Sequence, residues 1–426
     1  MAFGTGKMAL AASMEAISFQ IKELLFKELK IVFDELLKSK SLSQEELKKS
    51  GLAQIVKKHT GVFIVPTLLE KDSGYSACVE FPQIDINHPL IAEAYRHMKG
   101  NVDGIAAIKA AKGAIKGTVD YKESKVTGTF QDFECSMYFS KGLFTSGKFS
   151  AGEIAAIMLH EIGHIFTYFS FLSLNIKVNH VLFAASQSML NTASQEDRFI
   201  IMREVESSLD VKLTDKENLS KANKGEVIQT VILNSVIEKT RSELGSNIYD
   251  MRAWEALCDQ FAARHGAGRD LATALDKVYR SYGHASYRNL FTFTMLEVIK
   301  ATLFTMMILT GTGIALCVLI VLTNPMERIY DEPGERIKRV RLQLVEALKD
   351  KNISASRQKQ LLDDIKVIDQ LTPEINDRRG ILELFWSDII PYGRRQQSQK
   401  ETQQALEALL ANDLFVRAAQ FKTMNV

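Results

Sequence analysis

The sequence predicts an α+β fold that is mainly helical, with a small sheet and helical arms at both ends. Three observations carry this expectation. Runs with apolar residues every three or four positions occupy both ends of the chain. β-branched and aromatic residues broken by Gly and Pro are confined to stretches between those ends, chiefly residues 61–90 and 128–144. A strongly apolar run after residue 150 opens on an explicit helix-start signal.

A chain of 426 residues can bury one large core or two smaller ones. Its net charge of +2 gives no reason to expect nucleic acid as a partner. Cys78, Cys135, Cys258 and Cys317 are far apart and form no CxxC pair, which argues against a disulfide framework and against a thiolate zinc knuckle. A reducing compartment is the simplest expectation. The opening "MAFGTGKMALAASMEAISFQ" reaches Glu15 after a short apolar run and shows no cleavage pattern, so it reads as the start of a helix and not as a signal peptide.

Taken in order, residues 8–58 read as helical. "SFQIKELLFKELKIVFDELLK" is amphipathic, and "SQEELKKSGLAQIVKKH" opens with Ser43 and Glu46 at capping-box distance. "GVFIVPTLLEKDSGYSACVEFPQIDINHPL" predicts short strands and loops, and "DGIAAIKAAKGAIKG" helix or loop. "GTFQDFECSMYFSKGLF", residues 128–144, reads as a strand hairpin. Ser150 and Glu153 form a capping box that opens a helix over 150–169. A long helical connection follows, with the polar "LTDKENLSKANKGE" on the surface. A helix over 247–265 is closed by Gly266 at the C′ position, and "RDLATALDKVYRSYG" again runs helix into glycine.

Residues 301–323 carry no charged side chain. At about 1.5 Å per residue that run is long enough to cross a hydrocarbon core of about 30 Å. A fully buried helix, or a two-legged hairpin broken at Gly311 and Gly313, fits the same residues. Arg328, Arg336, Lys338, Arg339 and Arg341 crowd its C-terminal flank against Arg288 and Lys300 before it, which for a span would put the C-terminal side in the cytoplasm. From 334 onward the chain reads as a charged, Gln-rich helical bundle or docking element with no catalytic chemistry. The expected division is an N-terminal helical arm (1–60), a catalytic domain (61–300), the apolar segment (301–323) and a C-terminal helical region (324–426).

The chemistry concentrates in "MLHEIGHIFTYF", residues 158–169. On a helix His160 and His164 share one face, so both imidazoles can reach one metal ion. Glu161 is then placed beside the ion and not on it, where it can take a proton from a water whose pKa the metal lowers. Gly163 removes a side chain where another element must pack closely. A third ligand is expected from the helix "SNIYDMRAWEALCDQFAARHG". Glu255 is suited to the ion, and Asp259, one turn on, to a hydrogen bond from a ligand imidazole. Trp254, Leu257, Phe261 and Ala262 supply apolar packing around them. Glu204 and Glu206 are alternative carboxylates without a second partner one turn later. One Zn2+ per chain is the expected cofactor. His88, His97, His180, His265 and His284 lie outside any ligand spacing and read as structural or exposed.

The order of parts resembles the gluzincin metallopeptidases of the CAAX-prenyl-protease and heat-shock membrane-peptidase type. Their strand, "GLL"-like turn and glutamate-led HExxH helix are matched by "SMYFSKGLFTSGKFSAGEIAAIMLHEIGH". Their ExxAD-x-FAA is matched by "EALCDQFAARHGAGRDLATALDKV", with Cys258 where alanine is usual. The resemblance covers residues 128–168 and 252–280. It implies a zincin-like catalytic domain with zinc on His160, His164 and Glu255, Glu161 as the base, and Asp259 supporting a ligand. It also implies an edge strand of Glu134, Cys135, Ser136, Met137, Tyr138 and Phe139 that holds an extended polypeptide substrate by β-augmentation.

The family's His-Pro-Pro segment followed by Arg-Ile has only "TNPMERI" (323–329) and "YDEPGERI" (330–337) as counterparts here. Neither keeps the histidine, which leaves Tyr330 and Arg336 as candidate substitutes. A zinc endopeptidase is the function implied. The alternative is a structural component of a large assembly, such as the virion of a tailed phage, built on the same scaffold. Residues 301–323 and the helical arms would then engage a membrane or neighbouring subunits, so the expected location is membrane-associated or within a large particle. A third possibility, an integral-membrane quality-control peptidase, is weakened by the single candidate span.

Overall fold

The computed structural model of the protein describes residues 19–39, 42–82, 104–110, 117–244, 251–282, 295, 333–350 and 353–371. These form a mainly helical fold with a small sheet. The apolar segment 301–323, its Gly311 and Gly313, and Tyr330 lie outside the described residues.

Helix α1 (Leu24–Lys38) turns Leu25, Leu29, Phe33 and Leu36 onto the core. A capping box starts α2 (Gln44–Lys49): Glu46 N donates to Ser43 Oγ, and Ser43 N to the Glu46 carboxylate. Helix α3 (Leu52–Thr60) stops at Gly61, whose φ of 73° is open to glycine, and a Cβ there would meet the Val126 carbonyl oxygen. Strands β1 (Phe63–Leu69) and β2 (Ala77–Glu80), helix α4 (Gly104–Ala110), and the hairpin of β3 (Gly117–Asp120) with β4 (Lys125–Gly128) follow. A single 3₁₀ turn, Thr129–Asp132, leads into β5 (Glu134–Ser140).

The main sheet has the order β1-β5-β2, with β5 parallel to β1 and antiparallel to β2. Two expectations are corrected here. Residues 128–144 are not a hairpin; the hairpin lies just before them, at β3–β4. The strand of Glu134, Cys135, Ser136, Met137, Tyr138 and Phe139 is not an edge but the centre of the sheet, with its backbone bonded on both sides. Its near-alternating polarity resembles that of a half-solvated strand. Yet Cys135, Met137 and Phe139 are fully buried on one face, while the two neighbouring strands are supplied by residues 63–69 and 77–80.

After the short α5 (Gly142–Thr145), helix α6 (Ala151–Asn191) begins where Ser150 and Glu153 cap each other. It runs well past the predicted end at 169. Helices α7 (Gln195–Leu209), α8 (Lys216–Lys221) and α9 (Gly225–Leu244) follow. Then come α10 (Met251–Ala262), a π turn (Ala263–Ala267) and α11 (Gly268–Ser281), with Gly266 at φ 90° absorbing the change of direction. Helices α12 (Pro333–Leu348) and α13 (Ala355–Leu371) complete the described chain.

Helix α6 serves two hydrophobic cores. Its first half packs with α1, the sheet, and α10 to α13 around Phe33, Phe139, Leu159, Phe166 and Phe261. Its second half carries Val181, Ala185 and Met189 into a satellite core with α4, α7, α8 and α9. It is the one described helix long and apolar enough to cross a membrane, and most of that apolar stretch is buried inside the protein. Described residues of the N-terminal region pack on the first of these cores. Phe19 meets Phe166 and Phe261 edge to face, and Phe33 meets Phe139 in the same way, so residues 19–39 and 42–60 contribute side chains to the main core.

Candidate metal centre

His160 and His164 lie one turn apart on α6, with ring planes at 89° and centroids 4.9 Å apart. Helix α10 crosses them where Gly163 has no side chain: a Cβ there would stand 2.7 Å from the Cys258 Cα. That close crossing brings Glu255 and Asp259, on either side of Cys258, up to the imidazoles. Glu255 Oε2 is 3.3 Å from His160 Nε2, and its Oε1 is 3.4 Å from His164 Nε2. Asp259 Oδ1 is 2.9 Å from His160 Nδ1.

These separations can be tested against a metal ion. Four donors placed tetrahedrally about 2.0–2.1 Å from an ion stand about 3.3–3.4 Å from one another. The two Glu255–histidine distances have that length and are longer than a strong hydrogen bond between such groups. Glu255 Oε2 is buried and receives no aligned hydrogen bond, its neighbours being the charges of His160 at 3.3 Å and Arg336 at 3.2 Å. The ligand atoms of His160, Glu161 and His164 also lie within 4.8 Å of one another. This buried group can hold a metal ion.

Arg336, at the first turn of α12, is buried against both carboxylates. Its Nη2 donates to Asp259 Oδ1 at 2.7 Å and its Nε to Oδ2 at 3.0 Å. Nη2 is also 3.2 Å from Glu255 Oε2, and Nη1 donates to the Tyr279 hydroxyl at 3.3 Å. Burial pushes the Glu255 carboxyl up, but His160 and Arg336 outweigh it and hold the group at about 2. For Asp259 the same contest ends well below the ordinary carboxylate value. Burial opposes a charge on His160, yet Asp259 and Glu255 raise its pKa to about 10 in the metal-free protein. Burial and the neighbouring His160 charge lower that of His164 to about 4. Glu161 is raised to about 7, chiefly by burial and also by Glu255.

Glu161 faces β2, where the Val79 amide is directed at its carboxylate. Ser140 N donates to Ser76 O, so in this antiparallel register alternate residues of β2 bond β5, and Ala77 and Val79 point their backbone groups outward. Among the described residues β2 is an outer strand. The edge beside the candidate site is therefore β2 and not the strand the sequence suggested.

The remaining expected residues sort as follows. Glu206 is used elsewhere, accepting from Lys216 Nζ and Leu213 N. His180 is buried in the satellite core against the Ala107 carbonyl. His265 is buried against the Phe261 carbonyl, and burial lowers its pKa to about 4. His88, His97 and His284 lie outside the described residues. Leu257, Phe261 and Ala262 are core residues.

The expectation that residues from 334 onward carry no site chemistry is corrected, because Arg336 is 4% exposed and bonded into the centre. The signal available was the "YDEPGERI" set against the Arg-Ile of the resembled family, which made Arg336 a candidate substitute there but did not connect it to Asp259. Comparison of the chain with family models, with curated proteins and with solved structures finds no match.

Proposed function

We propose that the protein is a zinc-dependent endopeptidase on a zincin-like scaffold, similar in plan to the gluzincin peptidases. His160, His164 and Glu255 would hold the ion and Glu161 would be the general base. The observation that carries this reading is the spacing of the Glu255 oxygens from the two Nε2 atoms, 3.3 and 3.4 Å, with a separate carboxylate held alongside. Zinc is favoured by a donor set of two imidazoles and one carboxylate, which would leave one position of a tetrahedral ion for water or substrate. When bound it supplies Lewis acidity, polarising a carbonyl and acidifying water.

The chain's own residues do the rest. Asp259 Oδ1, 2.9 Å from His160 Nδ1, would hold the remaining imidazole proton on that nitrogen, which with the ion bound leaves Nε2 as the ligand atom. Glu161, whose carboxyl burial raises in the metal-free protein, would take a proton from the attacking water and pass it to the leaving amine. A polypeptide in extended form would add to the outer edge of β2, bonding the outward groups of Ala77 and the Val79 carbonyl, the Val79 amide being turned to Glu161.

The test is metal content of chelator-free protein together with hydrolysis of unfolded casein. Wild type should carry about one zinc per chain, and Glu255→Ala should lose most of it. Glu161→Gln should keep the metal and lose hydrolysis. A folded wild-type chain that takes up no zinc, or a fully active Glu161→Gln variant, would refute the reading.

A further inference from the structure

We propose that Arg336 is a positioning residue of the metal centre, through which the docked helix α12 sets how tightly the centre holds its ion. This rests on the metal reading above and adds a residue and a coupling to it. Arg336 touches no expected ligand atom other than Glu255 Oε2, and it acts mainly through Asp259. Its Nε and Nη2 grip both oxygens of that carboxylate, which fixes the carboxylate plane as a single point charge cannot. The fixed Oδ1 lies 2.9 Å from His160 Nδ1, so the guanidinium orients the imidazole at one remove. Near Glu255 it stands on Oε2 alone, at 3.2 Å, leaving Oε1 toward His164.

Two effects compete. A positive group this close to Glu255 repels a metal ion, whereas its loss frees Asp259, and with it His160, to turn. Both Asp259 oxygens are held by Arg336 and only one Glu255 oxygen is approached, so orientation outweighs repulsion. Removing such outer partners of metal ligands costs about 10–100-fold in affinity.

None of the other site residues is carried by α12. Its place is set by packing of Ile337, Val340 and Leu344 into the main core, with Leu344 lying against Gly268 where a Cβ would be 2.9 Å away. Docking of α12 and metal binding are therefore linked, and the linkage is reciprocal: each strengthens the other by the same factor.

The experiment uses the full chain as wild type, Arg336→Met, Arg336→Lys, Asp259→Asn and the Arg336→Met/Asp259→Asn double variant. Zinc affinity is read by competition with a chromogenic chelator, and hydrogen exchange of residues 333–348 is followed with and without zinc. Arg336→Met should weaken zinc about 10–100-fold. Arg336→Lys should recover only part of this, since an ammonium cannot hold both Asp259 oxygens. The double variant should bind within about twofold of Asp259→Asn alone, because the two residues act in series. Zinc should slow exchange across 333–348 in wild type and much less in Arg336→Met.

Unchanged affinity in a folded Arg336→Met, or losses that simply add in the double variant, would overturn the proposal while leaving the metal site standing. If Arg336→Met does not fold, Arg336→Lys decides by the same measurements. A wild-type chain that binds no zinc would overturn the metal reading and this proposal with it.

Discussion

Replacing Gly163 by alanine tests the crossing on which the whole site depends. At an exposed position within a helix this change stabilises by about 1 kcal/mol, because alanine loses less conformational freedom than glycine. Here the added Cβ would stand 2.7 Å from the Cys258 Cα, 3.1 Å from its Cβ and 3.3 Å from its Sγ. Carbon atoms sit comfortably about 3.5–4.0 Å apart, so α6 and α10 must part by most of an ångström. Overpacking of this kind costs about 1–3 kcal/mol, and an obstacle that is backbone puts the cost in the upper half of that range. The net expectation is a destabilisation of about 1–2 kcal/mol after the propensity gain is subtracted.

The same movement carries Glu255 away from both imidazoles, whose present separations of 3.3 and 3.4 Å leave little slack. Zinc affinity should fall at least about tenfold. Thermal denaturation of the chelated protein reads the first effect, and chelator competition reads the second. Adding Cys258→Ala should rescue neither, because the nearest atom is the Cα. A raised or unchanged midpoint with unchanged zinc affinity would show that the helices are not in contact at Gly163, and the geometric account of the site would fail.

Chelation should leave the protein folded, with its far-ultraviolet circular dichroism and a cooperative thermal transition retained, because His160, Asp259 and Arg336 pair their charges without an ion; collapse on adding chelator would mean that the metal is structural. The chelated protein should also lose stability between pH 7 and 10. His160 has a folded pKa of about 10 against an ordinary 6.5, so its contribution is complete below 6.5 and disappears as pH rises through 10. Zinc-loaded protein, in which that proton is gone, should lack this slope when melted at the same pH values. Lys277→Met should lower stability by about 1 kcal/mol, the half-exposed lysine discounting a larger figure. Lys277 Nζ donates to the buried Glu153 carboxylate at 2.7 Å, at the cap of α6. Burial pushes Glu153 up, but Lys277 and the Ser150 amide outweigh it and lower its pKa. The loss should therefore be present at neutral pH and shrink as pH falls below about 4.5, as urea denaturation at two pH values would show.

What the sequence determined by itself is local in origin. Ser150 and Glu153 name the start of α6 because a capping box needs only residues three apart. His160, Glu161 and His164 converge because helical geometry puts them on one turn, and Glu255 and Asp259 share a face for the same reason. Gly163 was legible as a place of close approach, though not what approaches. The tertiary structure decided which strand is central, since β5 is flanked by segments far apart in the chain, and alternation of polarity cannot say who the neighbours are. It also packed the apolar faces of residues 19–39 and 42–60 onto the core, and it carried Arg336 across from a helix that follows residues 283–332. No spacing rule connects Arg336 to Asp259, 77 positions earlier. Their pairing exists only because α12 packs beside α10 and α11, where a buried carboxylate needs a cation.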